Sequence, residues 1–471
     1  MLFPTIDFFI FFIIVFTATW ALNAFNSPKK LMLLVASYFF YAQWNVYFIF
    51  LLAGVSASNF IIGYAIGRLR GHPVERVILL SGIMVNVLTL AYFKYYDFLS
   101  IQIYNFFIPW GIRLDLGATG VALPVAISFL AFHGISYIVD IHRERVKAST
   151  SLVDVMLYMA FFPHLVAGPI VRAAEFFPQL ATSRNPASIN LGASLLLIIG
   201  GLVKKVIIAG YLSQFLVDPV FNSPASYATV DLVAAVIAYA VVIYCDFSGY
   251  TDIAIGVANL LGYHFPMNFN QPYRALSLQD FWRRWHITLS TWLRDYVYIP
   301  LGGSHSGSFA TYRNLLLTML LGGVWHGAGA QFVIWGALHG AGLAIERFLS
   351  RLNMIQAQSH FIIIPGKWLL TFTFVNFAWI FFRAPSVEAG LEFITCIGSS
   401  EVEGAILSPM LAGLILFGLF LHVIPSTIQK YLSDFLASLS APMLAAIVTA
   451  SILSISIIAP PGVPPFIYFQ F

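Results

Sequence analysis

Charge is what this sequence has least of. Only 9% of its residues are Asp, Glu, Lys or Arg, against about a quarter in a soluble domain, so the chain cannot clothe a globule in water. Cysteine is nearly missing too. Cys245 and Cys396 are too few for a disulfide framework and lack zinc-ligand spacing. There is no Gly-x4-Gly-Lys-Ser/Thr loop, no His-Glu-x-x-His pair and no Gly-x-Ser-x-Gly elbow, which sets aside phosphate-loop, zinc-protease and hydrolase-elbow chemistry. No metal site and no bound cofactor is expected. Net charge is +4, from 24 Lys+Arg against 20 Asp+Glu. Such an excess speaks to membrane topology rather than to nucleic acid. Internal repeats and disordered linkers are absent as well, so residues 1–471 read as one membrane domain, with 459–471 a short aromatic tail.

What is present is apolar: 59% of the residues are hydrophobic. Runs at 8–25, 77–93, 121–139 and 441–458 approach the roughly 20 residues that a membrane helix needs, and the whole chain offers about ten to thirteen crossings or re-entrant pieces. The fold class is an all-α polytopic membrane protein. The segment after Met1 lacks a basic leader and reads as the first membrane helix rather than a cleaved signal. Basic residues recur in rhythm. Lys29 and Lys30, then Arg68, Arg70 and Arg76, then Arg143, Arg145 and Lys147 lie on one side, the cytoplasmic one, with the N-terminus outside. The stretch 31–66 is long enough for two crossings, interrupted near Gln43-Trp44-Asn45. Pro163, Gly168 and Pro169 break a later apolar stretch. Apolar helices follow at 191–212 and 232–244. Residues 265–308 are rich in Trp, Arg and Asn between hydrophobic helices. Polar backbone at that depth survives only by lining a cavity or lying inside protein, so a site belongs there.

Five features could carry chemistry. In Gln279–Tyr296, read as a helix, Arg283, His286 and Ser290 share one face; an amphipathic interfacial helix explains its Trp and Arg residues equally well. His326, in Leu321-Gly-Gly-Val-Trp-His-Gly-Ala-Gly-Ala330, is an ionisable group among glycines deep in an apolar segment. That is a functional candidate by default, and a neutral imidazole there would suit a general base; a hydrogen bond to a neighbouring helix is an equal alternative. His339 lies 13 residues on, on the opposite face of a continuous helix at ~100° per residue, so a packing role is expected for it. Cys245 has no base beside it and reads as core, whereas Asp246, Ser248, Tyr250 and Asp252 could line a cavity. The C-terminal Pro460–Phe471 reads as an aromatic belt anchor, although Tyr468 could act as a phenolic acyl carrier.

The blocks "FWRRWHITLSTWLRDYVYIPLGG" and "GGVWHGAGAQFVIWGALHG" resemble the membrane-bound O-acyltransferase (MBOAT) family, in its bacterial branch of alginate O-acetyltransferase type. Ser128–Arg143, Phe161–Arg172, Tyr244–Tyr273 and the terminal "PFIYFQF" extend the similarity over nearly the whole chain. The resemblance implies that His326 is the family's principal motif histidine and His286 its second. It implies a helical fold around a central tunnel, where a cytoplasmic acyl thioester, acetyl-CoA above all, meets an outward-facing acceptor. It also implies periplasmic partner transferases that place the acyl group on an exported polysaccharide.

From these the expected mechanism follows. Arg283, Arg284 and Arg294, with Arg274, steer a phosphate-bearing donor; Asp246 and Trp325 contact substrate. His326 deprotonates the acceptor hydroxyl, His286 stabilises the oxyanion, and Tyr468 is a candidate acceptor. The location implied is the bacterial inner membrane, multi-pass, with lipid as partner and no nucleic acid. Teichoic-acid D-alanylation and acetylation of cellulose or peptidoglycan are the alternatives within the family. A transporter or flippase is the alternative outside it, which the lack of a repeat disfavours.

Overall fold

The computed structural model describes residues 3–114, 116–117, 119–121, 123–305, 307–352 and 363–462. Tyr468 lies outside them. The described residues form helices and turns with no strand, as the apolar runs require where backbone groups can find no water.

They group into two compact units. The first comprises residues 1–189 with 257–266. Its helices are α1 (Ile6–Ala21), α2 (Asn26–Ala42), α3 (Phe48–Arg68), α4 (Val74–Phe107), α5 (Ile127–His142), α6 (Leu152–Ala160), α7 (Phe162–Leu165) and α8 (Ala173–Ala181). The interruption expected near Gln43-Trp44-Asn45 is the break between α2 and α3. The run 121–139 becomes helical only at Ile127, after Pro124 and a left-handed Ala126 (φ 68°). The break expected around Pro163–Pro169 separates α6, α7 and α8.

The second unit comprises residues 190–256 and 267–471. Its helices are α9 (Leu191–Asn222, with π-helical turns at Val203–Ala209 and Ser213–Val217), α10 (Thr229–Leu260, which ends in the first unit), α11 (Leu278–Arg284) and α12 (Ile287–Leu293). There follow α13 (Gly307–His326), α14 (Ala330–Arg351), α15 (Ile363–Arg383), α16 (Val387–Ser399), α17 (Pro409–Phe420), α18 (Ser426–Ser438) and α19 (Ala441–Ile458). Among the described residues six helices are long and apolar enough to cross a membrane: α3, α4, α9, α10, α14 and α19. Three more, α1, α5 and α17, are apolar but shorter.

Burial separates these helices sharply. The apolar window of α10 is 83% buried and that of α19 only 6%. A helix hydrophobic all round and wholly enclosed is a core helix, whereas α19 presents its apolar face outward. Within the second unit α9 and α10 touch through small residues. A Cβ on Gly201 would stand 2.6 Å from the Gly249 carbonyl oxygen, and one on Gly256 would stand 2.7 Å from that of Ser194. Small residues let membrane helices bring their backbones together, where dispersion replaces the hydrophobic drive that lipid does not supply.

Two sequence expectations change here. His326 and His339 do not share a continuous helix: α13 ends at His326, and the chain reverses through Gly327–Gly329 into α14. Residues 279–296 are not one helix either, because α11 stops at Arg284 and α12 begins at Ile287. Arg283, His286 and Ser290 therefore share no helix face. In both places the sequence pattern carried across a helix break that two or three residues accomplish, Trp285-His286 and Gly327–Gly329.

Candidate functional site

The polar stretch after α10 places His286 first. Its backbone is left-handed (φ 42°, ψ 56°) at the N-terminus of α12. Asn268 builds that turn. Its backbone carbonyl accepts the Ile287 N–H at 2.9 Å, and its side-chain oxygen accepts the Thr288 N–H at 3.2 Å and hydroxyl at 3.0 Å. Left-handed backbone costs a non-glycine residue about 1–3 kcal/mol and tends to mark functional sites. The His286 ring is fully buried, edge-on to Phe247 with centroids 4.6 Å apart. Neither ring nitrogen has a hydrogen-bond partner among the described residues.

We expect His286→Gly to be more stable than His286→Val, although both leave the place of the ring unfilled, because glycine takes this conformation freely. The difference should be about 1–3 kcal/mol. Thermal unfolding in detergent compares them, and equal midpoints would remove the backbone argument.

The α13–α14 hairpin places the other histidines. His326 is 3% exposed and its ring meets Trp325 (4.9 Å between centroids), Trp335 (5.0 Å) and Phe382 (5.1 Å). Trp325 also reaches the His286 ring at 6.3 Å, so one indole connects the two predicted histidines. His339, on α14, meets the other side of the same wall: its ring lies 4.8 Å from Trp335, and its Nδ1 accepts the Trp282 indole N–H at 3.3 Å. The hairpin thus joins His326 and His339 through Trp335, which a continuous helix would have prevented. The sequence reading set His339 aside for want of that reversal, and its only signal was the Gly327-Ala328-Gly329 triplet.

The polar run on α10 meets α9. Asp246 pairs with Lys205, and Asp252 with Lys204, whose ammonium also donates to Ser248 at 3.0 Å. Both members of the Lys205–Asp246 pair are buried, and both lysines sit on the first π-helical turn of α9. Asp246, expected to touch substrate, is held by a lysine one residue before the Phe247 that packs on His286. Breaking one partner of a buried pair costs about 3–5 kcal/mol, whereas replacing both by apolar residues is often near neutral. Asp246→Asn should therefore destabilise more than Lys205→Met/Asp246→Leu in detergent unfolding. The reverse order would overturn the pairing as the reason for these residues.

The predicted arginines fall elsewhere. Arg284 binds Asp280 at 2.8 Å and Arg294 binds Asp295 at 2.7 Å, while Arg283 is exposed. Among the described residues no group of three or more His, Cys, Asp or Glu side chains could hold a metal ion.

Helices of membrane length, a buried aromatic wall carrying histidines and a polar segment folded into the same unit describe a polytopic membrane protein with an enclosed histidine site. The chain belongs to the membrane-bound O-acyltransferase family, whose model matches residues 126–385. It is 41% identical over 390 residues to a "Probable alginate O-acetylase" of Pseudomonas aeruginosa, covering 82% of this chain and 73% of that protein. It is 38% identical over 393 residues to the peptidoglycan O-acetyltransferase of Helicobacter pylori (78% of this chain, 73% of that one). It is 29% identical over 282 residues to the teichoic acid D-alanyltransferase of Bacillus subtilis (55% and 68%). The protein is an O-acyltransferase of the membrane.

Proposed function

We propose that the protein carries an acetyl group from a cytoplasmic thioester, acetyl-CoA, to an outward-facing hydroxyl, for O-acetylation of an exported polysaccharide such as alginate. The observation that carries this reading is the similarity to the P. aeruginosa alginate O-acetylase at 41% over 82% of the chain, against 29% over 55% for the D-alanyltransferase. A second reading, peptidoglycan as the polymer, rests on the 38% identity to the H. pylori enzyme.

Charge supports a direction. One end of the second unit gathers residues 271–284, 307–313, 346–351 and 363–368: Leu278 N–H donates to Glu346, Arg351 to Ser308, and the Trp368 indole N–H to the Tyr273 carbonyl. That end carries Arg274, Arg283, Arg284, Arg313, Arg347, Arg351 and Lys367. At the opposite end Arg383 pairs with Asp218, Gln331 donates to the Pro385 carbonyl, and the Ile406 and Leu407 N–H groups donate to Asp231. By the positive-inside rule the arginine-rich end is cytoplasmic. His326, at the far turn of the α13–α14 hairpin beside Phe382, then belongs to the outer half. The membrane is the inner membrane of a bacterium, and partner transferases outside it place the acetyl group on the polymer.

In the chemistry proposed, the acceptor hydroxyl oxygen attacks the thioester carbonyl carbon while His326 takes its proton. His286 donates to the oxyanion from a ring nitrogen that has no partner among the described residues. The carbon–sulfur bond then breaks, the ester forms and the thiolate leaves, taking up the proton. Tyr468 is the candidate first acceptor. Incubating membranes with radiolabelled acetyl-CoA, and separately with D-alanyl carrier protein, tests the donor: label transferred from acetyl-CoA supports the reading, and transfer from the carrier protein alone overturns it. Tyr468→Phe should abolish labelling of the protein itself; full polymer acetylation in that variant would remove the tail from the relay.

A further inference from the structure

Asn268, which the sequence reading did not single out, is 1% exposed, and half of its side-chain amide is in use. The amide oxygen accepts the Thr288 N–H (3.2 Å) and the Thr288 hydroxyl (3.0 Å). A backbone N–H can only donate, so the oxygen faces Thr288 and the NH2 group is turned away from it. The NH2 nitrogen is buried and has no partner among the described residues. A buried donor left unmatched costs about 1–3 kcal/mol. Aspartate, serine or threonine would accept from a helix N-terminus as asparagine does. Building the turn therefore explains the oxygen of Asn268 and leaves its NH2 group unexplained.

The same turn carries a second group in that condition. The Asn268 carbonyl accepts the Ile287 N–H at 2.9 Å, so Asn268 is fastened to both residues that follow His286. Neither nitrogen of the buried His286 ring has a partner among the described residues. That ring lies 6.3 Å from Trp325, whose own ring is 4.9 Å from His326. A neutral imidazole has one N–H and one lone pair, so His286 offers an oxyanion a single hydrogen bond. Oxyanions of acyl transfer are held by several donors fixed before the reaction begins. Asn268 Nδ2 is a donor without a partner, fixed to the turn that presents His286.

We propose that Asn268 is a further catalytic residue: its Nδ2–H and the His286 N–H together hold the oxyanion formed when the acceptor hydroxyl adds to the thioester carbonyl. Thr288 orients the amide in advance, so the donor needs no rearrangement as charge develops. No bond to Asn268 forms or breaks. The negative charge sits on the former carbonyl oxygen, and its electron pair restores the carbonyl when the carbon–sulfur bond breaks. This rests on the reading of His286 as a donor to the oxyanion.

The test is Asn268→Asp, which keeps an oxygen for Thr288 and removes the amide donor. Steady-state transfer in membranes is measured with whichever acyl thioester the parent accepts, relative to the parent at each pH and normalised to extracted protein. At about pH 8 kcat should fall roughly 10²–10³-fold with KM little changed. Toward about pH 5.5 the loss should shrink, because a buried carboxyl takes up a proton and its O–H then donates in place of the amide. An asparagine that only builds the turn gives no such recovery. Parental transfer at every pH, or a loss equal at every pH, overturns the proposal. Thr288→Val keeps the backbone N–H and removes the hydroxyl that orients the amide. It should lower kcat about tenfold at unchanged KM, and parental kcat there overturns the proposal even where Asn268→Asp does not accumulate. His286→Gly, which keeps the left-handed turn, separates the two assignments. Parental transfer in that variant removes His286 from the oxyanion, while recovery at low pH in Asn268→Asp still establishes Asn268 as a donor.

Discussion

Replacing His326 by alanine lowers acyl transfer by about a thousandfold, within the 10²–10⁴ typical of a lost general base, while the protein still accumulates in the membrane. The expectation follows from where the ring lies. It is buried and enclosed by Trp325, Trp335 and Phe382. Alanine also leaves a void against those rings, worth roughly 1–3 kcal/mol of stability. His326→Gln therefore accompanies it, as a residue of similar bulk that cannot act as base. Both variants should lose transfer alike although Gln preserves more of the packing. The measurement is acetyl transfer by membranes, normalised to protein detected after detergent extraction. A Gln variant with parental transfer would end the assignment of His326 as base.

The second large effect falls on the hairpin that carries His326. At the α13–α14 crossing the helices meet backbone to backbone. A Cβ on Gly323 would run into the Phe332 carbonyl oxygen, and one on Gly336 would stand 2.5 Å from that of Met319. A side chain can rotate away from an intruding methyl, but a carbonyl inside a helix cannot move without breaking its own hydrogen bond. Gly323→Val or Gly336→Leu should thus cost more than the roughly 1–3 kcal/mol of ordinary overpacking and abolish accumulation of folded protein. Gly413→Val is the control, since nothing lies within 4 Å of a Cβ there, and it should be tolerated. Size-exclusion profiles of detergent extracts report the outcome. Monodisperse Gly336→Leu protein with parental transfer would show that the close crossing is not required.

Much of the fold was legible because hydropathy over some 20 residues is a property of the chain itself: a bilayer admits helices and little else. That physics marked α1, the break between α2 and α3, the interruption at Pro163–Pro169 and the polar segment after Phe265, and it marked His326 as unusual, whereas His286 was singled out by the resemblance. Periodicity failed where the backbone turns within apolar sequence. It could not see that Gly327–Gly329 reverses the chain, and so it parted His339 from His326, which Trp335 joins. Nor could it see that Trp285-His286 ends one helix and starts another.

The charged residues divided along the same line. The sequence alone determined that there are few of them, and tertiary contacts showed which end of the second unit they crowd. Which arginines are satisfied and which face a void depends on partners far along the chain, and only the tertiary structure decides it. Asp280 and Asp295 hold Arg284 and Arg294, and Lys205 claims Asp246 across 41 residues. Arg347 and Arg351 line a cavity together with Glu346, whose carboxylate accepts the Leu278 N–H of another helix. Hydropathy is additive along the chain and can be read residue by residue. Pairing is not, since it depends on which atoms folding brings within about 3 Å of each other.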